Sequence, residues 1–158
     1  VRNIALEKIQ PPSCYRSVYL PIVRDYVPEV FDLFDFPSPS LVSGQRAVTN
    51  VPTQALYLRN SAFVAEQAQL AARRLLAATE ATDDSSRIAL ATRWALAREP
   101  SDPERDAALQ LVNQIVQAAE GTDSEKVDPA VTAESAWSAW FITLFTTAEF
   151  RYLVDIEE

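Results

Sequence analysis

Apolar residues recur at helical spacing through the second half of the chain. Between residues 61 and 78 they fall at i, i+4, i+7 and i+11, which is one face of a helix with 3.6 residues per turn. Two later stripes follow the same rule. The three sets are Val64, Ala68, Ala71 and Leu75; Ala108, Leu111, Val112, Ile115 and Ala119; and Trp137, Trp140, Phe141, Leu144 and Phe145. The pattern predicts three amphipathic helices that share a core.

Capping and helix-breaking residues divide the chain into further helices. Ser101 and Glu104 have the spacing of a capping box, and Pro103 lies just inside the helix that they open. The predicted helices are Pro28–Asp35, Val51–Leu58 opened by Pro52, Asn60 or Ser61 to about Ala78, Asp83–Asp84 to Pro100, Ser101 to Gly121, Asp128–Pro129 or Thr132 onward, and a last turn at Phe150–Val154 after the capping-box spacing of Thr146 and Glu149. We therefore predict an all-α bundle of about five to six helices.

Residues 15–60 interrupt this regularity. The stretch holds five of the ten prolines, yet aromatic and branched residues recur in it every few positions. Prolines exclude one long helix, and the apolar content excludes a disordered tail. Ser17–Leu20 is β-prone, and Ser43–Gly44 has the composition of a turn. We expect an irregular segment wrapped over a helical body at 61–158, with residues 1–14 joining it to an upstream domain and 15–158 forming one domain.

Composition excludes several functions. The net charge of −8 argues against a nucleic-acid backbone binder, and no apolar run approaches the ~20 residues that span a bilayer. The chain has no histidine, which excludes Ser-His-Asp and Cys-His catalysis within it. Cys14 is its single cysteine, so no internal disulfide can form. No Gly-rich phosphate loop or serine-nucleophile motif occurs. We expect no cofactor and no metal.

Three blocks of sequence, and the end of the chain, resemble a known family. They are Arg16–Pro21 (RSVYLP), Phe34–Pro37 (FDFP), Val51–Asn60 (VPTQALYLRN) and Trp140–Asp155. These blocks resemble the C-terminal domain of unknown function of large planctomycete proteins, which often have a cytochrome-c-like domain upstream. Ala97–Pro100 (AREP) departs from the Gly-Arg-x-Pro expected there. The resemblance implies a multidomain protein that is periplasmic or secreted, and it supplies no catalytic residues.

Polar side chains in and beside the irregular segment are the candidate contact residues. Arginine and amide groups next to tyrosines could hold a carboxylate or sugar hydroxyls. Alternatively, they satisfy the carbonyl groups of an irregular backbone. The eight candidates are Arg16, Tyr19, Arg24, Arg46, Gln54, Tyr57, Arg59 and Asn60.

Carboxylates and tryptophans offer weaker sites. Asp25, Glu29 and Asp32 have helical spacing that could present oxygen ligands, but Pro28 interrupts it and solvated carboxylates are the preferred interpretation. The tryptophans at 94, 137 and 140 could form a stacking platform, although their spacing favours core packing.

Three functions remain open from the sequence. The first is a non-catalytic module that docks neighbouring domains of the same polypeptide or other proteins. The second is a carbohydrate- or small-molecule-binding domain, for which a glycan is a plausible ligand class. The third is a carboxylate-dependent hydrolase, whose groups would include Asp32, Asp35 or Glu149.

Overall fold

The fold of the described residues is entirely helical. A computed structural model describes residues 27, 29–38, 40, 44, 49, 51–120 and 128–151. These residues form α1 (Glu29–Leu33), α2 (Pro52–Asn60), α3 (Ala62–Leu76), α4 (Asp84–Leu96), α5 (Asp102–Glu120), α6 (Pro129–Thr146) and α7 (Ala148–Arg151). They contain no strand, so the predicted all-α class is confirmed. The chain divides into two compact units, residues 1–50 and 51–158.

The first unit contains α1, which ends in a Schellman motif. The Phe36 N–H donates to the Phe31 carbonyl at 2.8 Å, and the Asp35 N–H donates to the Asp32 carbonyl at 3.2 Å. The Phe31 and Phe36 rings stack with centroids 5.2 Å apart, which supplies the apolar contact typical of this motif. Asp35 adopts φ 57°, in the left-handed region that the motif requires. The FDFP block therefore encodes a helix end.

Glycine is the usual residue at the left-handed position of this motif. Asp35 stands there instead, and its side chain makes hydrogen bonds that glycine could not make. Its carboxylate Oδ2 accepts hydrogen bonds from the Thr49 backbone N–H at 2.7 Å and from the Thr49 hydroxyl at 2.8 Å. The backbone strain of a left-handed aspartate is modest, because Asp is among the few residues that tolerate this region. The helix end and residue 49 are therefore joined through one carboxylate.

Helix α6 is the centre of the second unit. It packs most extensively against α3 and α5, and it also contacts α2, α4 and α7. The buried apolar residues of the bundle are Val64, Ala68, Ala72, Leu75, Ala81, Ile88, Leu90, Ala91, Ala108, Val112, Ala136, Trp137, Trp140, Phe141 and Leu144. The predicted stripes of α3, α5 and α6 supply most of this set, although on α3 Ala72 is fully buried and Ala71 only partly.

Capping residues act where the sequence predicted them in α4 and α6. The Asp83 carboxylate accepts from the Ser86 N–H at 2.7 Å, and the Ser86 hydroxyl lies 3.2 Å from the Asp83 N–H, which completes a capping box. The Asp128 carboxylate accepts from the Ala130 N–H at 2.9 Å, directly before Pro129. Both helices begin at the predicted residues because their first N–H groups gain side-chain acceptors.

The cap of α7 differs from the prediction. The predicted pair was Thr146 and Glu149, but the Thr147 hydroxyl is the group that accepts from the Phe150 N–H, at 3.2 Å. Glu149 is bound instead to an arginine at the end of α4. Ser61 precedes α3 without a side-chain capping bond. The spacing alone could not show which threonine faces the free N–H groups.

Helix α4 ends at a second non-glycine residue in the left-handed region. Ala97 has φ 57° and ψ 21°, and its N–H donates to the Arg93 carbonyl at 3.0 Å. Glycine is the residue expected at such a position, and the resemblance also predicted glycine there. The sharp turn at Ala97 places Arg98 between α4 and α5.

Several predictions lie outside the described residues. These are the extended Ser17–Leu20 segment, the partners of Gly44 in its turn, the stop at Gly121 and the turn beyond Arg151. The wrapping of residues 15–60 and the domain boundaries remain predictions, although α2 belongs to the unit 51–158. No described helix combines the length and hydrophobicity needed to cross a membrane.

Candidate interaction site

Helix α3 exposes large apolar side chains on the side away from its buried stripe. Phe63 is 53% exposed and Leu70 is 49% exposed, and seven residues separate them. Two helical turns, or about 10 Å, therefore lie between them on one line of the helix. Gln67 and Arg74 belong to the same line, at i+4 and i+11 from Phe63. This side of α3 is apolar with polar groups interspersed.

A groove follows this line between α3, α4 and α6. Its volume is about 490 Å³. Leu70 and Ala71 form one wall, Trp94 and Ala95 form the other, and the α6 residues Phe141 and Phe145 contribute their rings. Phe141 is 1% exposed, so the groove reaches the buried core. We call it the α3–α4 groove.

Two polar side chains line the α3–α4 groove. They are Gln67 and Arg74, both on α3. The guanidinium carbon of Arg74 lies 4.9 Å from the centroid of the Trp94 ring, which is the geometry of a cation–π contact. Trp94 remains 38% exposed. The groove thus presents an aromatic surface with a cation beside it.

The two adjacent arginines of α3 have different partners. Arg73 forms an ion pair with Glu134 of α6 at 2.9 Å, and the hydrogen bond that it donates to Glu134 raises the pKa of Arg73. Among the residues that the structure describes, Arg74 forms no ion pair. Carboxylates outnumber cationic side chains in this chain by 22 to 14. The lack of an ion pair at Arg74 is therefore not a shortage of acidic residues.

A second arginine cluster lies at the junction of α4, α5 and α7. Arg98 donates to Glu104 from Nη1 and Nη2 at 2.9 and 2.8 Å, and to Glu149 from Nη2 and Nε at 2.7 and 2.6 Å. Its Nη1 also reaches the Glu99 carbonyl at 3.0 Å. The guanidinium therefore has its donors used within the fold.

The contacts of the Arg98 cluster favour the charged forms of Arg98, Glu104 and Glu149. Hydrogen bonds from Arg98, and then from the Ser101 backbone, lower the pKa of Glu104 to about 2. Arg98 likewise lowers the pKa of Glu149. Both carboxylates raise the pKa of Arg98. A general acid needs a raised pKa, so neither glutamate suits that role.

The eight candidate contact residues separate into two groups. Arg16, Tyr19, Arg24 and Arg46 lie outside the described residues. Gln54, Tyr57, Arg59 and Asn60 lie on α2.

Gln54 has a role within the bundle. It is 1% exposed, and its Oε1 accepts a hydrogen bond from Nη1 of Arg151 at 3.3 Å. Arg151 in turn reaches back to the Thr147 carbonyl at 3.4 Å. The bond joins α2 to α7 through two side chains, so it differs from the predicted alternative of a bond to the carbonyl groups of an irregular backbone. Arg59 and Asn60 are exposed, and Tyr57 is half-buried.

The tryptophans divide in the same way. Trp137 and Trp140 are 2% and 5% exposed, so core packing is confirmed for both. For Trp94 the core interpretation is wrong, because its ring lies at the groove with Arg74 beside it. The sequence did carry a signal for this site. Phe63 and Leu70 lie off the predicted buried face of α3, and large apolar residues there need another explanation.

The candidate carboxylates do not assemble a metal centre among the described residues. No group of three or more acidic or cysteine side chains suitable for a cation occurs in that part of the chain. Asp35 binds Thr49, and Glu149 binds Arg98. Asp25 lies outside the described residues. Their contacts account for Asp35 and Glu149 as structural groups.

Comparison with known proteins gives one match. Residues 5–112, more than half of the 158-residue chain, match the family model described as PSD1: Protein of unknown function (DUF1553). The matched range includes α1 to α4, and it ends before α6. No curated protein and no solved structure matches the chain. The resemblance to a family of unknown function is thereby confirmed, whereas the planctomycete context and the cytochrome-c-like neighbour stay predictions.

Proposed function

The chain belongs to the DUF1553 family of proteins of unknown function, and from that premise we propose that it is a non-catalytic docking module. In this proposal the α3–α4 groove binds a neighbouring domain of the same polypeptide or a partner protein. The host would be a larger periplasmic or secreted protein, as the resemblance implies. The groove is the observation that carries the proposal.

Exposure of apolar surface supports docking. Fully burying a large apolar side chain stabilises a protein by about 1.5–3 kcal/mol, so leaving Phe63, Leu70 and Trp94 partly exposed forgoes part of that stabilisation. Exposed apolar residues that continue into a groove are typical of interaction surfaces. Trp and Arg are also enriched among the residues that dominate binding energy. A docked partner would cover this surface.

A photo-crosslinker at position 70 of the full-length protein tests the proposal. We expect it to join Leu70 to one defined peptide of a neighbouring domain or partner, identified by mass spectrometry. The matched control is position 131, where Val131 is 58% exposed on α6. The docking proposal is wrong if position 70 gives no more crosslinked product than position 131.

Carbohydrate binding is the second candidate, and Trp94 favours it. A half-exposed indole beside an amide and a guanidinium combines a stacking surface with hydrogen-bond donors. A thermal-shift screen with soluble glycans distinguishes the two functions, because a ligand at 100 times its Kd stabilises the native state by about 2.7 kcal/mol. A glycan whose stabilising effect disappears in Trp94→Ala would establish this candidate over the first.

A further inference from the structure

The chemistry of the α3–α4 groove restricts what can occupy it, and this inference rests on the proposed docking function. We infer that the groove receives an amphipathic helix from the docked protein, with apolar side chains against Leu70 and Phe145 and one carboxylate bound by Arg74. Three observations lead to this occupant: the length of the exposed apolar line, the position of Arg74, and the charge of the chain.

The length of the exposed line favours a helix. Phe63 extends the apolar surface about 10 Å beyond Leu70, because seven residues of helix separate the two. A helix laid in a groove makes contacts at i, i+3, i+4 and i+7, which cover a similar length. Three helices already border the groove, so the added helix would pack as a further member of the bundle.

The position of Arg74 favours a carboxylate. Its guanidinium lies over Trp94 at the wall of the groove, and no carboxylate of the described residues pairs with it. The cation–π contact places the guanidinium at the Trp94 ring without using its N–H groups as hydrogen-bond donors. Arginine binds carboxylates through two parallel hydrogen bonds in this arrangement. Neighbouring Arg73 has a carboxylate partner, Glu134, within the fold, and Arg74 would receive a carboxylate partner on docking.

The net charge of the chain argues against an occupant that is strongly acidic overall. At −8 the protein repels strongly acidic molecules at long range. The occupant therefore carries its carboxylate within a segment that is neutral or basic overall. This condition separates the inferred helix from a generally acidic peptide, which Arg74 alone would not attract.

A displayed library of amphipathic helices is the probe. One edge position of each helix varies among Glu, Gln and Lys, and selection is carried out on the folded chain. We expect the selected helices to carry Glu, and to bind about five- to tenfold more tightly than their Gln versions. On Arg74→Glu the preference should invert to Lys.

Two substitutions act as controls in the same selection. Leu70→Glu should abolish enrichment, because it places a charge on the apolar wall, whereas Val131→Glu should leave enrichment unchanged. Both positions are about half-exposed or more, so both variants are expected to keep the wild-type melting temperature. The melting temperature of every variant, Arg74→Glu included, confirms that the selection compares folded proteins.

The remaining outcomes would overturn the inference. Helices that require Leu70 but show no preference for Glu would refute the carboxylate and leave the docking function standing. Helices that bind equally to wild type and Leu70→Glu would refute both. A dimer of the chain that Leu70→Glu dissociates would assign the groove to a second copy and refute the partner helix.

Discussion

Two arginines of the bundle, Arg98 and Arg74, differ in the contacts that their guanidinium groups make. At the α4–α5–α7 junction, Arg98 binds two carboxylates and a backbone carbonyl, all from within the fold. At the α3–α4 groove, Arg74 lies over Trp94 and forms no ion pair among the described residues. Arg74 contacts Trp94 of α4, and Arg98 lies two residues after the end of that helix. Only Arg98 has its donors satisfied.

The difference separates a structural arginine from a candidate binding arginine. Arg98 joins the end of α4 to the start of α5 and to α7, and 51 residues separate it from Glu149 of α7. We therefore expect the loss of Arg98 to affect folding. The surroundings of Arg74 are apolar and exposed, so its loss should affect binding and leave folding unchanged. A count of charged residues in the sequence could not make this distinction.

Replacement of Arg98 should give the largest effect. We expect Arg98→Ala to lower the free energy of unfolding by about 2–3 kcal/mol, since charge-assisted hydrogen bonds are lost and the two glutamates are left to repel each other. The side chains involved are more than a third exposed, and screening by water keeps the effect below that of a fully buried network. Urea unfolding measures it. Arg74→Ala, the matched control, should change stability by less than about 0.5 kcal/mol.

Acid should remove much of the Arg98 effect. The folded-state pKa of Glu104 is lowered to about 2, and that of Glu149 is also lowered. A lowered carboxylate pKa contributes stability above the unfolded-state value of about 4.3, and that contribution is lost as pH falls through the folded-state value. The stability difference between wild type and Arg98→Ala should therefore shrink between pH 5 and pH 2. A difference that stays constant over this window would contradict the assignment.

The buried amide of Gln54 should give a smaller effect. We expect Gln54→Ala to destabilise the protein by about 1–2 kcal/mol, because it opens space in the interior and removes the acceptor for Arg151. Gln67→Ala is the control, since Gln67 lies at the groove. Its effect on unfolding should stay below about 0.5 kcal/mol. Equal losses in the two variants would remove the distinction between the sites.

Substitution at Ala97 should give the smallest effect, and it should be stabilising. We expect Ala97→Gly to raise the free energy of unfolding by about 0.5–1 kcal/mol, because glycine adopts φ 57° without steric cost. Ala89→Gly in the middle of α4 should have the opposite sign and cost about 1 kcal/mol. Thermal unfolding of the two variants checks both signs. A destabilised Ala97→Gly would show that the turn before Arg98 gains nothing from glycine.

The two left-handed residues show why side-chain identity at helix ends cannot be read from conformation alone. Asp35 and Ala97 share φ 57°, where glycine is the usual residue. The aspartate at position 35 has a structural explanation, because its carboxylate binds Thr49. For Ala97 no side-chain contact explains the residue. The resemblance predicts glycine at position 97, where this chain has alanine, and it gave no prediction of the backbone angle.

Much of the helical organisation followed from the sequence. The starts of α4 and α5 were predicted at Asp83–Asp84 and Ser101, and that of α6 at Asp128–Pro129 or Thr132, of which the first is confirmed. These starts are predictable because capping side chains satisfy N–H groups within a few residues of themselves. Glu104 also reached the Ser101 N–H as predicted, at 2.8 Å. Its bond to Arg98 was not predicted, since the turn at Ala97 determines where that guanidinium points.

The candidate site was missed for a related reason. The eight predicted contact residues are polar and lie in or beside the proline-rich segment. The residues of the groove, by contrast, are mostly apolar members of regular helices. An apolar residue at helical spacing fits a core as well as a surface. Leu70 and Leu75 lie on one helix, yet Leu70 is 49% exposed and Leu75 is fully buried.

The sequence by itself determined the fold class, most helix boundaries and the membership of the family, because these depend on periodicity, local hydrogen bonding and residue order. Tertiary structure alone decided which apolar face of α3 is covered and which arginine has carboxylates within reach. Both depend on helices brought together across long stretches of chain. Contacts across such separations are set by packing, and packing leaves Arg74 and Trp94 at the surface where a partner can reach them.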